Sequence, residues 1–124
     1  MAKLIFNYPF MEKEYTLEKL EKEVIYIGRS TSNDITIPDY NLFKKLPLTT
    51  QKMYITQLTK VSRIHAKFTK KGNTWYLEDV GTKGLGSNYG TYVNNARLEV
   101  KKPYALQHND KLRFGLVECT FSEE

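Results

Sequence analysis

Six short runs of alternating apolar and polar residues recur along the chain: Lys3 to Tyr8, Val24 to Ile27, Ala66 to Thr69, Thr74 to Glu78, Lys111 to Phe114 and Glu118 to Phe121. A period of two places every second side chain on one face of an extended strand, and that face must be covered by a second layer. Turn formers separate the runs, notably Lys71-Gly72-Asn73, Asn94-Asn95 and His108-Asn109-Asp110. Gly and Asn tolerate the positive φ that tight hairpins need. Short strands with frequent turns predict an all-β sandwich. At 124 residues and 40% hydrophobic content, residues 1–124 fit one domain around one core.

Two segments depart from the alternation. Thr16 to Glu23 has helix-forming composition, with Leu17, Leu20 and Val24 at helical spacing. The stretch from Pro38 to Lys60 carries Tyr40, Leu42, Phe43, Leu46, Leu48, Met53, Tyr54, Ile55 and Leu58, too apolar a set for a free linker. A short helix is expected near Thr50 to Thr59. Lys44, Lys45, Lys52 and Lys60 against Asp39 give this stretch a charge of 4 − 1 = +3, most of the chain's formal +5. It reads either as an excursion packed on the side of the sandwich or as an extra wall or partner surface.

The basic excess favours an acidic or phosphorylated partner. Lys and Arg are interspersed with Asp and Glu, without a clustered basic helix or zinc-finger spacing, so a specific nucleic-acid partner is not expected. The single cysteine, Cys119, forms no intrachain disulfide and reads as a small core residue. No run approaches the ~20 apolar residues of a membrane helix. The expectation is a soluble intracellular protein, cytoplasmic or nuclear, with no membrane partner. His65, His108 and one cysteine offer no metal spacing, so no metal or other cofactor is expected.

Three separated segments offer groups suited to a phosphate: Gly28-Arg29-Ser30, Ser62-Arg63-Ile64-His65 and Ser87-Asn88-Tyr89-Gly90-Thr91-Tyr92-Val93-Asn94. In that order, and closed by Leu106 to Gly115, they resemble the signature of forkhead-associated (FHA) domains from about Val24 to Phe121. The resemblance implies a sandwich of two mainly antiparallel sheets with about eleven strands, and binding of phosphothreonine peptides at the loop tips. It also implies that Glu14 to Leu17 form the second strand followed by a turn, against the helical composition. It marks residues 38–60 as an enlargement of a loop that is short in the family.

A phosphate monoester carries nearly two charges and three acceptor oxygens, and so needs several fixed donors and a cation. Arg29 supplies a planar fork able to grip two oxygens, and Gly28 before it would permit a turn that frees the arginine from the sheet. The resemblance makes Ser62 a direct phosphate contact and places Asn88 where a polar donor stands near the phosphate. Arg63 follows Ser62 at a variable family position, as a further phosphate contact or a solvent-exposed side chain. His65 is implied to hydrogen-bond within the binding loops, and Gly90 and Thr91 to brace them. The family's asparagine clamp on the peptide backbone is replaced by Tyr89. The loop Gly81 to Gly86 is lengthened.

Other chemistries fit less well. Gly86 is followed by Ser87 and not by the Lys-Ser/Thr of a P-loop. Ser62, His65 and Asp79 could be strung into a hydrolase triad, but no Gly-x-Ser-x-Gly elbow accompanies them. The expected function is therefore a non-enzymatic adaptor that binds a phosphothreonine protein or peptide. The alternative is a phosphate-independent interaction or oligomerisation module using the 38–60 insert.

Overall fold

The computed structural model describes residues 1–124. Their order is β1 (Ala2–Ile5), β2 (Glu14–Thr16), a 3-10 helix (Leu17–Leu20), β3 (Val24–Gly28), β4 (Ile35–Thr36), α1 (Tyr40–Phe43), α2 (Leu48–Thr59) and β5 (Ala66–Lys71). There follow β6 (Thr74–Asp79), β7 (Thr91–Val93), β8 (Ala96–Arg97), β9 (Tyr104–Ala105), β10 (Lys111–Phe114) and β11 (Val117–Glu123). One sheet runs β2-β1-β11-β10-β7-β8 and the other β4-β3-β5-β6-β9. Pairing is antiparallel except between β3 and β4.

Register carries the period-two pattern into the core. Ile25 lies opposite Phe68, and Phe68 opposite Leu77, so one sheet presents a continuous apolar row. Leu4 opposite Phe121 and Leu112 opposite Cys119 do the same for the other. These rows close on each other in one cluster of 24 buried apolar residues, each large side chain contributing about 1.5–3 kcal/mol of transfer free energy. Cys119 belongs to that cluster, and burial pushes its thiol pKa well up. The expected turns form at Gly72, Asn94, Asn95 and Asn109, all with positive φ.

The segment with conflicting expectations divides between them. The second strand stops at Thr16, one residue short of the expected Leu17, and Leu17–Leu20 wind into a 3-10 helix where a turn was expected. The cause is tertiary. Leu17 is fully buried, and Glu18 accepts hydrogen bonds from Ala2 N (2.9 Å) and Trp75 Nε1 (3.1 Å).

The insert holds two helices. Asp39 caps α1 by accepting from Asn41 N and Leu42 N. The expected helix near Thr50 to Thr59 begins slightly earlier, as α2 at Leu48, and buries Leu58. Phe43, Leu46 and Tyr54 pack on the core cluster, with the Tyr54 ring edge-on to Phe10 at 5.0 Å. The insert is thus a packed excursion, and its C-terminal end abuts the loops described next. No helix is long and apolar enough to cross a membrane.

Candidate functional site

Three connections converge at one end of the sandwich: the one after β3, the end of the insert before β5, and the one between β6 and β7. Gly28 brings the first two together. A Cβ there would stand 2.4 Å from the Arg63 carbonyl oxygen and 2.9 Å from His65 N. Only glycine permits that approach, so Gly28 serves backbone proximity and not the turn expected from sequence. Arg29 N then donates to Ser62 O and Ser30 N to Arg63 O, each at 3.0 Å. Asn33, which the sequence reading passed over, staples the same junction by donating from Nδ2 to Ser30 O (2.8 Å) and Arg63 O (2.7 Å).

His65 joins the third connection to the first two. It is fully buried, and its Nδ1 accepts from Ser62 N at 3.0 Å. That nitrogen therefore carries no proton, so Nε2–H donates to Gly90 O at 2.9 Å. Burial lowers its pKa, outweighing the opposing influence of Gly90 O and Asp79, and the ring stays neutral at pH 7. The arrangement suits loop support. It contains no hydrolase triad, because His65 faces the Ser62 backbone while Ser62 Oγ accepts from Asn88 N at 3.2 Å.

Asp79 is the buried post behind the third connection. It accepts from Thr91 Oγ1 at 2.8 Å and from Ser87 N at 3.3 Å to each carboxylate oxygen. Ser87 Oγ in turn accepts from Gly90 N at 3.0 Å. Thr91 thus braces the loop from inside, while Gly90 takes φ +88°. The sequence hinted at Asp79 only through the rejected triad; nothing in the pattern marks it as the anchor of residues 87–91.

These ties leave a polar cavity of about 620 Å³ at the loop tips. Arg29, Ser62, Arg63, Asn88 and Tyr89 all line it, and so do Thr59, Thr82 and Lys83, which the sequence did not single out. No carboxylate lines it. Arg29 Nε donates to Val61 O at 2.9 Å, which fixes the guanidinium plane and leaves both terminal nitrogens without a partner in the chain. Ser62 Oγ is an acceptor for Asn88 N, so its own O–H remains to donate outward. Tyr89 is half exposed, with Lys60 Nζ 4.5 Å from its ring centroid and 3.2 Å from its hydroxyl. A second depression, about 500 Å³, lies along β1, β10 and β11 with mixed charges and none of the expected site residues.

The FHA domain model matches residues 25–115. A curated relative, the dma1 protein of Schizosaccharomyces pombe, described as a probable E3 ubiquitin-protein ligase, is 41% identical over 59 residues, 44% of this chain and 20% of that protein. The chain thus matches only about a fifth of the length of such relatives. Among solved structures, the Slr1951 protein of Synechocystis superposes with TM-score 0.69 at 21% identity, covering 100% of this chain and 99% of that one. A domain studied for phosphothreonine-dependent FHA interactions superposes at 0.68 and 24% identity, covering 99% and 96%.

Proposed function

Because the chain belongs to the forkhead-associated domain family, we propose that residues 1–124 form one interaction module, not an enzyme, that binds a phosphothreonine segment of a partner protein across its loop tips. One observation carries the reading: Arg29, Ser62 and Asn88 meet in a single cavity without a carboxylate, with the Arg29 fork and the Ser62 hydroxyl open toward it. Arg29 supplies two parallel charge-assisted bonds to phosphate oxygens, Ser62 a third donor and Asn88 an amide; Arg63 and Tyr89 border the ligand. Gly28, His65, Gly90 and Thr91 hold the loops in place. Domains of this kind have solved relatives described with phosphothreonine-dependent interactions, which supports the choice of phosphoresidue.

A charge-assisted hydrogen bond contributes about 1.5–3 kcal/mol. Loss of both arms of Arg29 should cost about 2–5 kcal/mol, roughly 30-fold to several-thousand-fold in affinity. The test is a calorimetric titration with a degenerate phosphothreonine peptide library, its unphosphorylated twin, and Arg29→Ala. Selective binding lost in the variant is expected; equal binding by variant and wild type would remove the assignment.

A second reading rests on α2, where Leu48, Met53 and Ile55 are exposed beside Lys52. It makes the insert a phosphate-independent partner surface. Binding that survives phosphatase treatment of the partner and fails in Met53→Glu would favour it.

A further inference from the structure

The cavity holds more positive charge than one phosphothreonine neutralises. Arg29, Arg63 and Lys83 line it, and Lys60 stands at its rim on the lining residue Tyr89. None of the four is in an ion pair within the chain. A phosphomonoester brings about −1.5 to −2 at neutral pH, so roughly two cations remain uncompensated when it is bound.

Besides Arg29, the fold also fixes Lys60, by its backbone and by its contact with Tyr89. It caps the C-terminal end of α2, its N–H bonded to Gln57 O and Leu58 O, where the helix dipole favours a cation. Its backbone is pressed against Gly115, where an added Cβ would lie 2.2 Å from the Lys60 carbonyl oxygen. The next residue, Val61, supplies the carbonyl that anchors Arg29 Nε. The Lys60 backbone is thus adjacent in the chain to the residue that anchors Arg29, and its ammonium rests on Tyr89, which lines the same cavity as Arg29. Tyr89 orients it without neutralising it, since a ring face and a hydroxyl carry no net charge.

We propose that Lys60, held on Tyr89, forms an accessory anion subsite, and that this chain selects phosphothreonine segments bearing a second anionic group close to the phosphothreonine. The proposal rests on the phosphothreonine reading. The insert would then determine specificity: α2 delivers Lys60 to the position where Tyr89 replaces the asparagine expected to clamp the peptide. The second anion is a carboxylate side chain or a second phosphate.

The test uses one neutral phosphothreonine peptide frame, with Glu or a second phosphothreonine placed in turn at each of the three positions on either side. Wild type, Lys60→Met, Lys60→Arg and Arg29→Ala are compared by titration. Met keeps an apolar stem against the Tyr89 ring and removes the ammonium together with its bond to the Tyr89 hydroxyl, whereas Arg restores the cation. At the favoured position, Glu should tighten wild-type binding about 5-fold and a second phosphate about 10-fold or more. Both gains should shrink below about 2-fold in Lys60→Met, persist in Lys60→Arg and fade as salt rises. A gain from phosphate alone would identify a doubly phosphorylated partner; a gain from both, an acidic one. The subsite is refuted if no position gains, or if the gain survives Lys60→Met, while the neutral frame still binds in an Arg29-dependent way. If the neutral frame and its derivatives all fail to bind, the phosphothreonine reading falls and the subsite with it.

Discussion

Replacing Asp79 with alanine should loosen the whole 87–91 segment, although Asp79 itself is fully buried and lines no part of the cavity. The substitution removes the acceptor of two buried donors, Thr91 Oγ1 at 2.8 Å and Ser87 N at 3.3 Å. A buried donor left without a partner costs about 1–3 kcal/mol, so the pair should cost about 2–5 kcal/mol after partial relaxation. At an unfolding entropy near 2.1 cal/mol/K per residue, 124 residues give about 0.26 kcal/mol/K. The expected drop in Tm is therefore about 8 to 20 °C. Thr91→Val, which removes one of the donors at nearly constant shape, should cost less than Asp79→Ala. The double variant should cost at least about 0.5 kcal/mol less than the sum, because the two changes delete one shared bond. Urea and thermal unfolding measure both quantities. Well below the transition, phosphopeptide affinity should also fall more than about 3-fold, since Ser87 and Gly90 no longer hold Asn88 in place. An Asp79→Ala protein within about 0.5 kcal/mol of wild type, with additive Thr91→Val, would refute the account of Asp79 as the loop anchor.

Gly28→Ala should destabilise the protein by about 1–3 kcal/mol and weaken peptide binding together, because the new methyl meets the Arg63 carbonyl at 2.4 Å and must push the Arg29 and Ser62 backbones apart; unchanged melting and binding would sink the close-approach argument. Leu58→Ala should cost about 2–5 kcal/mol in urea unfolding if α2 is docked on the core as its burial indicates, whereas a loss under about 0.5 kcal/mol would mean a loosely held insert. The pH dependence of His65 has a definite sign. Burial holds its folded pKa below the ordinary value of about 6.5, so the unfolded state takes up a proton that the folded state refuses. Its contribution is fully present above about pH 6.5 and is lost as pH falls toward the folded value. Peptide-free melts should show a smaller fall in Tm from about pH 7.5 to 5.5 in His65→Asn than in wild type; equal slopes would contradict the neutral, Ser62-accepting ring.

Strand positions were legible because they depend on local alternation, and apolar rows such as Ile25, Phe68 and Leu77 follow from which face each residue takes. The apolar content of residues 38–60 marked the insert as packed, but of α2 only Leu58 is buried while Leu48, Met53 and Ile55 face solvent, so its helix left little periodic trace. Segment 16–20 was not legible either, since a 3-10 turn of four residues carries little pattern and is decided by Glu18 reaching Ala2 and Trp75. Within the site, the ordered Gly28-Arg29, Ser62-Arg63-x-His65 and Ser87 to Asn94 segments identified which loops matter and which residues would line the cavity. Asn33 and Asp79 carry no comparable mark, because what they do depends on hydrogen bonds to other segments of the chain, Arg63 for the first and Ser87 and Thr91 for the second.

The amino-acid sequence alone thus determined the β-sandwich, the family and the loop segments that meet, through periodicity and ordered short motifs that depend on near neighbours. Only the tertiary structure decided that Gly28 serves a backbone approach, that His65 is a neutral tie between Ser62 and Gly90, and that Asp79 anchors the third loop. The insert likewise gained its place at the cavity through Lys60 and Tyr89, 29 positions apart. Such contacts satisfy buried hydrogen bonds and position charge between distant segments, and neither requirement leaves a periodic trace in the chain.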